Sequence, residues 1–276
     1  MNGLIVLGTA SDSGKSMICT ALCRILADEG VRVTPFKSQN MSPFTARAEN
    51  GEVISRAQFI QATAARTTPS TYMNPIMLKP LANLKSEVFI LGEKFGSIVG
   101  MTYREQFFHR AIEAIRLSLA KLSETYETVI IEGAGSPAEV NLNDREVVNM
   151  RVAEIADVPA VLVADIDRGG AIASVVGTLE LLVPKHRARV KAILINKFHG
   201  DISLFKEGIE FIESYTGIPV IGVIPYKANH GIEEEDADRP VAKAPVGIDR
   251  YDAWADHVKA HMDWPLMKEI LSQGGK

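Results

Sequence analysis

Gly8, Thr9, Ala10, Ser11, Asp12, Ser13, Gly14, Lys15 and Ser16 follow one another between an apolar run and an amphipathic one. In that setting glycines let the backbone turn, and the N–H groups at the start of the following helix converge on an anion. Lys15 would neutralise the β and γ phosphates of a nucleotide, while the Ser16 hydroxyl would ligate a Mg2+ ion bridging them. Gly8, Thr9, Asp12, Ser13, Gly14 and Met17 complete the candidate cradle. Gly8 and Gly14 are separated by five residues, one more than in the usual pattern for such a loop.

A second chemical signal ends another apolar run, at Val129, Ile130, Ile131, Glu132, Gly133, Ala134 and Gly135. A carboxylate at the end of a buried strand can reach a metal beside the phosphate loop, so Glu132 pairs with Ser16 as a candidate Mg2+ ligand. Lys37 closes a further run and faces the carboxyl edge of the sheet, where open α/β folds bind ligands; a second lysine there suits phosphoryl transfer to an acidic acceptor. The amide of Asn196, at another run's end, could read adenine through its own donor and acceptor. Asp165, Asp167 and Arg168 share that edge, and both an intramolecular ion pair and contact with substrate are open to them.

The elements that must position these residues alternate in kind. Short β-branched runs at residues 4–9, 31–37, 128–132, 160–165, 190–196 and 219–224 read as strands. Helical periodicity falls at 15–28, 54–66, 103–126, 147–155, 170–182 and 204–215. Thr102 and Glu105 can form a capping box, and Gly217 can close the last helix. The pattern predicts an α/β fold, a mostly parallel sheet with helices on both faces. Residues 38–51 and 68–85, rich in Asn, Pro, Ser and Thr, are expected to be long loops. Residues 226–248 read as an acidic linker around Glu233, Glu234, Glu235, Asp236 and Asp238. Residues 249–276 read as a helical extension, with Tyr251, Trp254, Ala255, Val258 and Met262 at helical spacing. This stripe is expected to cover its own domain rather than a separate subunit.

Composition narrows the function. Thirty Lys and Arg against 34 Asp and Glu leave a net charge of −4, which argues against binding nucleic acid through its backbone. A chain that is 46% hydrophobic can bury a sizeable core. The apolar runs are far shorter than the ~20 residues a membrane span needs, so a cytoplasmic protein without a membrane partner is expected. Cys19 and Cys23, four apart in one helix, support neither a disulfide framework nor a metal site.

Five segments in order carry a family resemblance: residues 8–16, 35–41 (Pro35 to Met41), 73–80 (Met73 to Pro80), 132–139 (Glu132 to Glu139) and 163–170 (Val163 to Gly170). Together they resemble the ATP-dependent synthetase domain of cobyric acid synthase. That superfamily includes dethiobiotin synthetase and cobyrinic acid a,c-diamide synthase. The likeness covers residues 3–225, and the stretch after Asp249 is similar to the family's far C-terminal tail. It implies a P-loop NTPase-like fold, a synthetase domain over residues 1–225, ATP and Mg2+ as cofactors, and a corrinoid substrate. The implied reaction is amidation: a side-chain carboxylate is activated as an acyl phosphate and attacked by ammonia. Lys15, Lys37 and Glu132 become the implied catalytic set. Gln39, Asn40, Asn74, Lys79, Glu139, Asn141 and Asp165 become substrate-side candidates.

Family members usually add a glutaminase domain with a nucleophilic cysteine. The 276 residues carry no such segment, so the expectation is a synthetase that takes free ammonia or receives it from a separate glutaminase subunit, with a homodimer left open. Two alternatives stand beside this: a dethiobiotin-synthetase-like carboxylating ligase, and a partitioning-type ATPase. The latter would carry an additional lysine early in the loop, and Gly8 to Ser13 contains none.

Overall fold

In a computed structural model of the chain, residues 1–48, 51–81, 86–98, 104–140, 146–232 and 249–274 are described. The central strand β1 (Asn2–Gly8) alternates its side chains in the way a strand buried on both faces must. Ile5 and Leu7 enter one apolar cluster, Leu4 and Val6 the other, and all four are fully buried. α1 (Lys15–Asp28) returns the chain to β2 (Val33–Phe36).

The chain then leaves this sheet. β3 (Gln39–Met41), β4 (Thr45–Arg47), β5 (Val53–Ser55), α2 (Arg56–Ala64), β6 (Ile76–Pro80), β7 (Ser86–Ile90) and β8 (Glu93–Ile98) come next. It re-enters through α3 (Arg104–Thr125), β9 (Thr128–Glu132), α4 (Met150–Ala156), β10 (Ala160–Asp165), α5 (Ala171–Leu181), α6 (Pro184–Arg187), β11 (Val190–Phe198), α7 (Lys206–Thr216) and β12 (Val220–Pro225). α8 (Arg250–Lys259) and α9 (Trp264–Leu271) follow.

The main sheet has the order β12-β11-β10-β1-β9-β2, with every pairing parallel. α1, α8 and α9 cover one face and α3, α4, α5 and α7 the other, while α2 feeds both clusters beside β2. The expected α/β class is the observed one. Because the strands all point one way, Gly8, Glu132, Asp165 and Asn196 arrive at a single rim, with Lys37 one residue past β2. β1 sits where the connections diverge to either side, the place where such sheets bind ligands.

The regions expected to be long loops hold strands instead. β3, β6, β7 and β8 make a four-stranded sheet of their own, parallel between β3 and β6 and antiparallel beyond, and β4 pairs with β5 as a hairpin. Most of these strands have only three to five residues, too few for a periodic signal to stand out from Asn, Pro and Ser neighbours. Gly217 closes α7 with φ 71°, as its position suggested. The capping contact of Thr102 with Glu105, and the acidic cluster at 233–238, lie outside the described residues.

α8 packs on α1, and α9 reaches β1. Asp249 caps α8 by accepting from the Tyr251 N–H at 2.8 Å. Asp263 caps α9 by accepting from the Leu266 N–H at 3.0 Å, and Pro265 occupies its first turn. No helix among the described residues is long and apolar enough to cross a membrane.

Candidate active site

The loop after β1 is shaped by space as much as by sequence. A Cβ on Gly8 would stand 2.3 Å from Ser13 Oγ and 2.7 Å from Lys15 Nζ. One on Gly14 would stand 2.0 Å from Asn196 Nδ2, and Gly14 also holds φ +94° as the residue before α1. Only glycine meets both demands at Gly14. The Thr9 N–H donates to the Val163 carbonyl at 3.0 Å, fastening the loop to β10. Lys15 Nζ donates to the Ala10 and Gly135 carbonyls at 2.9 and 3.1 Å, so its ammonium lies over the loop's hollow. Burial pushes the Lys15 pKa down, and the nearby Lys37 adds to this against the pull of Glu132. Ser13 Oγ is buried without a hydrogen-bond partner, an unmet demand at the centre of a loop suited to phosphate oxygens.

Glu132, only 1% exposed, is the hub. Its Oε1 accepts from Ser16 Oγ at 2.8 Å and from Lys37 Nζ at 2.8 Å. Its Oε2 accepts from Gln61 Nε2 at 2.5 Å and Gln58 Nε2 at 3.4 Å. Burial works to raise this carboxyl, but Lys37 and the hydrogen bonds from Gln61 and Ser16 outweigh it and hold the pKa below the ordinary value. Ser16 Oγ and Glu132 Oε1 are hard oxygen donors side by side. Among the described residues no group of three or more His, Cys, Asp or Glu could hold a metal alone. A pair of this kind fits Mg2+, which takes one or two protein oxygens and completes its shell with phosphates and water.

A cleft of about 590 Å³ opens over these groups, lined by Lys15, Ser16, Lys37, Asn40, Glu132 and Asn196 among others. The remaining candidates divide. Asp12, at φ 57°, faces Arg168 through Oδ2 at 3.3 Å, and its carbonyl accepts from Lys197 Nζ at 2.6 Å. Met17 lines the cleft, and its carbonyl accepts from Trp254 Nε1 at 2.8 Å. Asn196 Nδ2 donates to the Ser13 carbonyl at 3.0 Å, so this amide braces the loop from β11.

Gln39 starts β3, opposite Ile76. Asn74 does not line the cleft; its amide donates to the Lys37 and Ile76 carbonyls at 2.9 and 3.1 Å and accepts from the Ser55 N–H at 3.3 Å. Lys79 lies opposite Glu87 in the second sheet, also away from the cleft lining. Glu139 accepts from the Ser136 N–H at 3.3 Å in the exposed loop after β9. Asp165 Oδ2 is engaged by Lys197 at 2.9 Å. Asn141 lies outside the described residues.

Residues 2–233 match the family described as an AAA domain. The chain belongs to that family. It is also similar to the cobyric acid synthase of Geobacillus kaustophilus, 50% identical over 230 residues that make up 83% of this chain and 46% of that protein. The cobyric acid synthase of Anoxybacillus flavithermus is 48% identical over 253 residues, 92% of this chain and 48% of the other. The resemblance read from the five segments is therefore present across most of the sequence, and the chain spans about half the length of these relatives. Among solved structures, the signal recognition particle receptor FtsY from Elizabethkingia anophelis with GDP is 15% identical, with a TM-score of 0.48 over 94% of this chain and 63% of that one.

Sequence reading passed over Gln58 and Gln61, which hold the far oxygen of Glu132, and Lys197, which clips the loop tip. It also left His230 and Trp254 unassigned to the cleft, which they line. The two glutamines did leave a signal: they stand three apart on the helical stretch whose other periodic residues are Ala57, Ile60 and Ala64, where a solvated amide has no business.

Proposed function

We propose that the chain is an ATP- and Mg2+-dependent amide ligase that activates corrinoid side-chain carboxylates as acyl phosphates for attack by ammonia. The observation that carries this is that Ser16 and Lys37 both donate to Glu132 Oε1 at the rim where Lys15 lies over the loop, in a chain about half identical to cobyric acid synthases. A carboxylate is a poor electrophile because its oxygens are poor leaving groups. Its attack on the γ-phosphorus, with ADP departing, gives an acyl phosphate; ammonia then adds to the carbonyl and phosphate departs, leaving the amide.

Each residue has a part in that scheme. Lys15 and Lys37 offset the repulsion between two approaching anions, and loop N–H groups orient the phosphates. Ser16 and Glu132 would hold Mg2+, which supplies charge neutralisation at the transferring phosphoryl group. Asn196 keeps the loop in its receptive shape, and Asn40, which lines the cleft, is a candidate contact for the acceptor. Asn74 acts at one remove, fixing the backbone of Lys37. We place the protein in the cytoplasm, with ammonia either free or delivered by a separate glutaminase, and with a homodimer as the assembly to test.

Incubation with ATP, Mg2+, an ammonium salt and a corrinoid acid tests the reading. Each amidation lowers the corrinoid mass by about one unit, and a heavy-oxygen label in the carboxylate should appear in the released phosphate. Corrinoid of unchanged mass, or label retained wholly in the amide, would overturn it.

A further inference from the structure

The far side of Glu132 is more elaborate than a packing contact requires. Ser55, Gln58 and Gln61 are each fully buried, and Asn74 is 2% exposed. Their polar atoms run head to tail: Ser55 Oγ donates to Gln58 Oε1, Gln58 Nε2 faces Gln61 Oε1 at 3.5 Å, and Gln61 Nε2 donates to Glu132 Oε2 at 2.5 Å. Only one orientation of each amide satisfies this chain, because a carboxylate oxygen accepts and cannot donate. At its other end Asn74 accepts from the Ser55 N–H and donates to the Lys37 carbonyl. The network thus leaves residue 37 through its backbone and returns to the Lys37 side chain through Glu132.

Burying two glutamine amides on α2 is costly unless they are fully partnered. Methionine or leucine would fill the same space without that cost. What the amides add is directional: with Oε2 pinned, the carboxyl plane is fixed and Oε1 is held toward Ser16 at 2.8 Å. Resting on the Mg2+ reading of Ser16 and Glu132, we infer that Gln61, supported by Gln58, is a positioning residue that presents Glu132 Oε1 to the metal of the nucleotide complex. Gln61 borders the cleft, and in this assignment it acts through the carboxylate.

The test separates metal presentation from nucleotide binding. Calorimetry measures ADP affinity of the full chain with excess Mg2+ and with a chelator, for wild type, Gln61→Met and Gln58→Met. Loss of a partner that orients a metal ligand typically costs about 10- to 100-fold in metal affinity. Gln61→Met should therefore raise the Mg2+ concentration needed for half-maximal tightening of ADP by at least about tenfold, leaving chelator-condition affinity within twofold. Gln58→Met, whose contact is the longer one, should shift the same midpoint less, and it carries the test if Gln61→Met does not fold. An unchanged Mg2+ midpoint, or a parallel fall of metal-free affinity, overturns the positioning role. A wild type whose ADP affinity ignores Mg2+ refutes the metal reading beneath it. Failure of amidation alone touches the proposed reaction and leaves these binding arms intact.

Discussion

Arg24 offers a sharp test of how the C-terminal helices hold the nucleotide loop. It lies on α1 with its side chain 3% exposed and meets three carboxylates: Asp252 at 2.6 Å, Asp249 at 2.9 Å and Asp28 at 3.4 Å. Arg24→Met keeps much of the volume and removes the charge. Breaking a buried pair costs about 3 to 5 kcal/mol because an uncompensated charge stays behind, whereas an exposed pair is worth about 0 to 1 kcal/mol. Here the groups left behind are aspartates about 40% exposed, which water can resolvate. The expected loss falls between those limits, about 2 to 3 kcal/mol.

For a chain of this size that is roughly 3 to 6 °C in Tm. The chain has two tryptophans, Trp254 on α8 and Trp264 opening α9, so their emission should redden as the helices loosen. Acid should act at the same place. Burial pushes Asp249 up, but the Tyr251 N–H and Arg24 together hold its carboxyl below the ordinary value. A depressed carboxyl stabilises the fold above its unfolded pKa, and that contribution is lost as pH falls through the folded value. The emission shift should therefore precede global unfolding on acidification. A variant melting within about 1 °C of wild type with unchanged emission would refute the clasp.

Lys15→Ala should weaken nucleotide affinity by about 1.5 to 3 kcal/mol, the worth of a charge-assisted contact; calorimetry returning equal affinities would remove Lys15 from the site. Glu132→Gln should abolish most turnover, and it should also lower Tm, since the buried ion pair with Lys37 is broken at a cost of about 3 to 5 kcal/mol. Wild-type kcat at limiting Mg2+ would make Glu132 purely structural. Nitrogen is expected from ammonium salts and not from glutamine, with rates rising with pH as NH3 replaces NH4+. The chain's two cysteines, Cys19 and Cys23, are buried in α1, and burial pushes both thiols up. Glutamine-dependent amidation by the purified chain would contradict this.

The legible part of the fold is the part built from long apolar runs. β1, β9, β10 and β11 lie buried between two helical layers, and continuous Val, Ile and Leu at a spacing of one strand per helix leaves few alternatives. The second sheet was illegible for the converse reason. β3 has three residues, and its partner β6 is recognised by pairing between residues 37 apart in the chain, such as Gln39 and Ile76, rather than by any local period. Strand propensity is context more than backbone preference, and the context here is tertiary. The C-terminal helical stretch announced itself through Tyr251, Trp254 and Val258. Its service to the loop did not, because it runs through the Trp254 bond to the Met17 carbonyl and the reach of Arg24 to Asp252.

The candidate site divides along the same physical line. Gly8, Gly14, Lys15 and Ser16 are legible because their chemistry is local: one turn of chain places amides, ammonium and hydroxyl around one point. Glu132 is legible because a parallel sheet delivers every strand end to one rim. Gln58 and Gln61 depend on which face of α2 turns toward Glu132, a matter of tertiary packing; Ser55 starts the helix as its cap, its Oγ accepting from the Gln58 N–H at 3.2 Å. Asn74 shows the reverse case. Its motif drew it toward substrate, yet its side chain bonds the backbone of Lys37, Ile76 and Ser55. A residue can thus belong to a motif of the site and act on the chemistry only through the lysine whose backbone it holds.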